Sequence, residues 1–179
     1  GGVDTTSVQT TAPGSATQIN GGDNSDTINT GSATNSLDAI LGALCVNGDA
    51  NGGTPTVTVC GNTLPEGDIL NVNDQGDASD NTYTVTATTV MRSGAATISY
   101  ATIESLNVSA GTGDDVINAT STAGSANTAI NAGDDADSGD PSDVVTVVTT
   151  GPGGSLTING QGGVDTTSVQ TTAPGSATQ

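Results

Sequence analysis

The chain has 179 residues, of which 19 are acidic and one, Arg92, is basic; it has no histidine, tryptophan or phenylalanine, and its formal charge is −18. Without imidazole or a lysine amine, the usual general bases, Schiff-base nucleophiles and histidine zinc sites are excluded, so no enzyme is expected. Nucleic acid is excluded too, because its phosphates are met by clustered Lys and Arg, and no run of roughly 18 apolar residues offers a membrane span.

In chain order, residues 1–18 (GGVDTTSVQTTAPGSATQ) come first, and they reappear letter for letter as residues 162–179, an offset of 162 minus 1, or 161. Such self-similarity decides architecture before anything else. Residues 1–161 are read as one tandem repeat unit and residues 162–179 as the start of the next, with adjacent copies joined end to end and bundled side by side. The two copies are expected to occupy equivalent environments one repeat apart.

Ile19-Asn20 precedes a Gly/Asp turn, after which Asp26 leads into a strand, Thr27-Ile28-Asn29. Leu37–Leu44 has helical spacing interrupted by Gly42 and is read as a buried strand or a single turn. Gly48–Val59 has the form of a turn followed by a strand. Alternating runs follow at Thr82–Thr86, Ala96–Tyr100, Asp143–Val148 and Leu156–Ile158. Thr and the β-branched aliphatics favour strands, and Gly, Pro, Asn and Asp separate them, so the chain is all-β. An aliphatic-Asn pair recurs at Ile19-Asn20, Leu70-Asn71, Leu106-Asn107, Ile130-Asn131 and Ile158-Asn159. This phase predicts an elongated parallel β-solenoid of about six coils per unit, about 27 residues each, with stacked Asn ladders. The alternative is a β-sandwich repeat, for which the Asn-Gly pairs at 20–21, 47–48, 51–52 and 159–160 would supply hairpins.

Each turn ends in an Asp that leads into a strand. Gly21–Asn29 (GGDNSDTIN) and Ala110–Asn118 (AGTGDDVIN) resemble the nonapeptide of hemolysin-type (RTX) calcium-binding repeats, and Gln75–Tyr83, Ser138–Thr146 and Gly160–Ser168 resemble it more loosely. Calcium takes six to eight oxygens, which turn carbonyls and Asp carboxylates of stacked coils could share, and stacked carboxylates would otherwise repel. The expected cofactor is Ca2+. The candidate ligands are Asp23 and Asp26; Asp74, Asp77 and Asp80; Asp114 and Asp115; and Asp134, Asp135, Asp137, Asp140 and Asp143. Cys45 and Cys60, the sole cysteines, flank one Gly/Asn/Pro turn and are expected to form a disulfide, which would place the chain outside the cell.

Tyr100 to Val108 (YATIESLNV), followed by Gly113-Asp114-Asp115, is similar to segments of very large repetitive secreted proteins of aquatic bacteria, planctomycetes among them. That resemblance implies an extracellular, β-rich surface or fibre protein. The expectation is a calcium-stabilised, non-catalytic structural repeat of a bacterial filament or stalk. The alternative is a spacer region of a repetitive adhesin.

Overall fold

The structure, a computed structural model, describes residues 2–49, 56–59, 62–65, 67–134 and 141–179. Seven strands form one sheet in the spatial order β1 (Thr5–Val8), β3 (Thr27–Thr30), β7 (Ile69–Asn73), β11 (Ser105–Ser109), β13 (Asn127–Asn131), β15 (Ser155–Asn159) and β17 (Ala177–Thr178). Eight form the other, in the order β2 (Ala16–Asn20), β4 (Ala43–Asn47), β10 (Ile98–Ala101), β9 (Thr89–Arg92), β8 (Thr82–Val85), β12 (Val116–Ala119), β14 (Pro141–Val147) and β16 (Val164–Val169). The chain therefore visits the two sheets alternately. Among the described residues there is no helix. Antiparallel pairing is confined to β8–β9, β9–β10 and a separate pair, β5 (Thr56–Val59) with β6 (Asn62–Pro65). Every other strand pair is parallel, which is not the hairpin-built pattern of the sandwich alternative.

Register follows the alternation of apolar residues, because a slip by one would turn every aliphatic outward. In the seven-stranded sheet Ile28, Leu70, Leu106, Thr128 and Leu156 stand in one inward row. Val72, Val108, Ile130 and Ile158 form the next row. The eight-stranded sheet answers with Tyr83, Ile117 and Val145 in one row and Val85, Ala119 and Val147 in another. Apart from Thr128, these side chains form or, for Ile158, pack against a single buried cluster. Each fully buried aliphatic contributes about 1.5–3 kcal/mol, and most of the core is built from such small increments because only Tyr83 and Tyr100 are aromatic.

Two expectations are corrected here, for Gly48–Val59 and for the two identical segments. Within Gly48–Val59, residues 50–55 lie outside the described residues, and Thr56–Val59 pairs antiparallel with Asn62–Pro65 apart from both sheets, not as a parallel strand of either. Leu37–Leu44, read as a buried strand or a single turn, agrees with the structure: it forms turns, with Ile40 N–H donating to Leu37 C=O, and its last two residues begin β4. The two identical segments do not share an environment. Residues 5–8 lie in the seven-stranded sheet and their copies in β16 lie in the eight-stranded sheet; residues 16–18 lie in the eight-stranded sheet and their copies in β17 lie in the seven-stranded one.

The Asn ladders form, in two rows. Asn107 Nδ2 donates to Asn71 Oδ1 at 2.8 Å, and Asn71 Nδ2 to Asn29 Oδ1 at 2.9 Å. Asn159 Nδ2 donates to Asn131 Oδ1 at 2.7 Å, but Asn131 stands opposite Ser109, two residues along from Asn107. A shift by two keeps side chains on the same face, so the core tolerates it. Asn20 lies in the other sheet.

Candidate functional site: carboxylate ladders at the strand starts

At or just before the start of several strands, a backbone N–H has no sheet partner unless a side chain supplies one. A carboxylate from the following strand in the stack does so. At the seven-stranded sheet, Asp4 N–H donates to Asp26 Oδ1 at 2.6 Å, Asp26 N–H to Asp68 Oδ1 at 2.6 Å, and Asp68 N–H to Glu104 Oε2 at 2.8 Å. At the eight-stranded sheet, Asn81 N–H donates to Asp115 Oδ1 at 2.8 Å, Asp115 N–H to Asp143 Oδ1 at 2.8 Å, and Asp143 N–H to Asp165 Oδ1 at 3.4 Å. All six links run in the same direction along the chain. Charge-assisted bonds of this kind are the strong ones.

These carboxylates are buried: Asp26 is 2 % exposed, Asp68 and Asp115 0 %, and Asp143 1 %. Burial pushes the Asp115 carboxyl up to about 7, and the nearby charges of Asp143 and Asp74 add to this, against the lowering effect of the Asn81 and Gly111 N–H bonds. The Gly residues of the turns serve the same contacts. A Cβ on Gly21 would sit 3.1 Å from Asp26 Oδ2, and side chains at Gly48 and Gly160 would collide with the carboxylates of Asp68 and Asp165. The Gly-to-Asp spacing that resembles a calcium repeat thus lets a carboxylate tuck against its own turn or a neighbouring one.

A second buried group surrounds the one cation. Arg92 is 7 % exposed; its Nε meets Asp74 Oδ2 at 2.9 Å, its Nη1 meets exposed Asp38 at 2.9 Å, and its Nη2 meets Asp77. Asp74 also accepts from the Tyr83 hydroxyl at 2.7 Å and the Leu37 N–H at 2.7 Å. Burial, first, and Asp74, second, hold the Tyr83 hydroxyl well above the ordinary tyrosine range.

The structure divides the predicted ligands. Asp26, Asp115 and Asp143 are in the ladders, and Asp74 and Asp77 are with Arg92. Asp23, Asp80, Asp114 and Asp134 are exposed on turns, where Asp114 N–H donates to Asp80 Oδ1 at 3.2 Å. Asp135, Asp137 and Asp140 lie outside the described residues. As a test of fit for calcium, no group of three or more Asp, Glu or Cys side chains placed to hold a metal ion occurs among the described residues, and the ladder carboxylates of Asp26 and Asp115 each commit an oxygen to a backbone N–H. Asp26 Oδ2 is buried without a hydrogen-bond partner, but one oxygen is far from six to eight.

Cys45 is a free thiol on the exposed face of β4, beside Gln18 and Ser99 in register. Cys60 lies outside the described residues. Sequence reasoning missed Asp68 and Glu104. The signal was there for the first: Asp68 stands directly before Ile69-Leu70-Asn71 as Asp26 stands before Thr27-Ile28-Asn29. It also placed Asp80, not Asn81, at the start of β8. No protein-family model, no curated protein and no solved structure matches the chain.

Proposed function

We propose that the chain is a structural repeat of an extracellular bacterial filament or stalk, built as a β-solenoid whose units follow one another end to end, with no catalytic role. The observation that carries this reading is the alternation of the chain between two largely parallel sheets, with the same 18 residues forming the outermost strands at both ends of the stack. Stability in such an array is a sum of neighbour contacts, so length can be added without a new core. The charge of −18 with one Arg supports an exposed, trypsin-resistant surface. No helix among the described residues is long and apolar enough to cross a membrane.

Electron microscopy of chains carrying several units tests this. Long or bundled filaments support it. Single short rods favour the spacer of an adhesin, and beads without a common axis defeat both. Calcium binding is proposed only for the exposed turns, where Asp80 and Asp114 stack; the buried carboxylates have backbone N–H partners. Thermal melting with calcium and with excess EDTA tests that, and identical curves would remove calcium from the reading.

A further inference from the structure

We infer that β16 and β17 are the first strands of the next unit, on which its remaining strands stack, and that each unit follows the last rotated by a half-turn about the stack, so that its two sheets exchange places. This rests on the tandem reading of the preceding section. Between β1 and β16 the chain changes sheet eleven times, an odd number, and the repeated 18 residues therefore restart in the opposite sheet. The two copies show both sides of one junction. The first copy has β3 on it, with Thr5 opposite Thr27; the second copy has β14 under it, with Val144 opposite Thr166. Superposed, they give β14, the shared strand, and the β3 of the next unit as neighbours in one continuous sheet.

Three observations support the half-turn. Asp4 and Asp165 are the same residue of the repeat. Asp165 accepts from Asp143 N–H, and Asp4 N–H donates to Asp26. The two carboxylate ladders are thus halves of one ladder with a single polarity, cut at this residue, and they join only if the sheets exchange. The strand count agrees. One unit places six strands in the seven-stranded sheet (β1 to β15) and seven in the other (β2 to β14). Added without rotation, one sheet would outgrow its partner by one strand, about 4.8 Å, per unit; with rotation each sheet receives thirteen strands per two units. Finally, the β16 edge has an apolar residue to cover. Val8 is 8 % exposed where residues following the first copy pack on it, and its copy Val169 is 42 % exposed.

The experiment uses residues 1–161 followed by residues 1–179, with Cys60→Ser in both units so that Cys45 is the thiol of each. Maleimide-gold on native rods, viewed by electron microscopy, should lie on opposite faces, about 31 Å apart along the axis. Labels on the same face would overturn the half-turn while leaving the tandem filament intact; two beads without a shared axis would overturn the filament reading itself. Unlabelled arrays of many units provide the second measurement. Diffraction from aligned arrays should give a full axial repeat of about 62 Å, twice the unit rise. A repeat of about 31 Å alone, with no longer spacing, would refute the exchange of sheets.

Discussion

Arg92 is the most exposed weakness of this fold, because it is the one cation of the chain and it is spent on the interior. Its guanidinium faces two buried carboxylates, Asp74 at 0 % and Asp77 at 8 % exposure. Replacing it in Arg92→Met keeps most of the aliphatic stem and leaves both acids without their counter-ion. Breaking a buried pair by removing one partner costs about 3–5 kcal/mol. The bond to Asp38 adds little, since that side chain is 69 % exposed and surface pairs contribute about 0–1 kcal/mol. At about 2–4 °C per kcal/mol for a chain of this size, Arg92→Met should melt roughly 10 °C lower, and Asp38→Asn nearly unchanged. Arg92→Met combined with Asp74→Asn should recover part of the loss, because the uncompensated charge is then gone. Thermal melts followed by circular dichroism measure this. Native-state hydrogen exchange should show the loss concentrated in β8 and β9, which carry Tyr83 and Arg92. A cost below about 1 kcal/mol for Arg92→Met, or an equal cost for Asp38→Asn, would refute the argument.

Asp68→Ala removes the acceptor of a buried N–H, that of Asp26, and should cost about 1–3 kcal/mol in urea denaturation, whereas Asp23→Ala on an exposed turn should stay within about 0.5 kcal/mol. Equal effects would mean the ladder is not structural. Asp115 titrates near 7 in the folded chain against an ordinary 3.8, so the folded state holds a proton that the unfolded state has released. Its contribution to stability is therefore greatest below about pH 4, falls by about 1.4 kcal/mol per pH unit as pH rises towards 7, and is flat above that. Urea denaturation of the wild type against Asp115→Asn across pH 4–8 should show that difference; a pH-independent difference would discard it. A thiol reagent added to the native protein without reductant should modify Cys45, and protection of that thiol until reduction would restore the disulfide.

The sequence by itself determined that this is an all-β chain, because Thr and β-branched aliphatics in alternation between Gly/Asp turns have no other way to bury their side chains. It also determined the repeat of the first 18 residues, strands over Thr82–Thr86 and Leu156–Ile158 that the structure places at Thr82–Val85 and Ser155–Asn159, and the Asn ladders, since stacked identical side chains pair wherever their phase agrees. What only the tertiary structure decided was which sheet each strand joins. Asp26 and Asp115 have the same local sequence context, an Asp after a Gly turn and before an apolar strand, yet they begin strands in different sheets. Nothing local separates them: sheet membership is the running parity of earlier crossings. The hairpin β5–β6 and the three adjacent strands β8, β9 and β10 disturb the even spacing from which a reader would count those crossings. The acidic turns were legible as sites of concentrated charge but not as what neutralises it. Each ladder carboxylate accepts from a backbone N–H 22 to 42 residues away, a distance set by the stack and invisible in the chain.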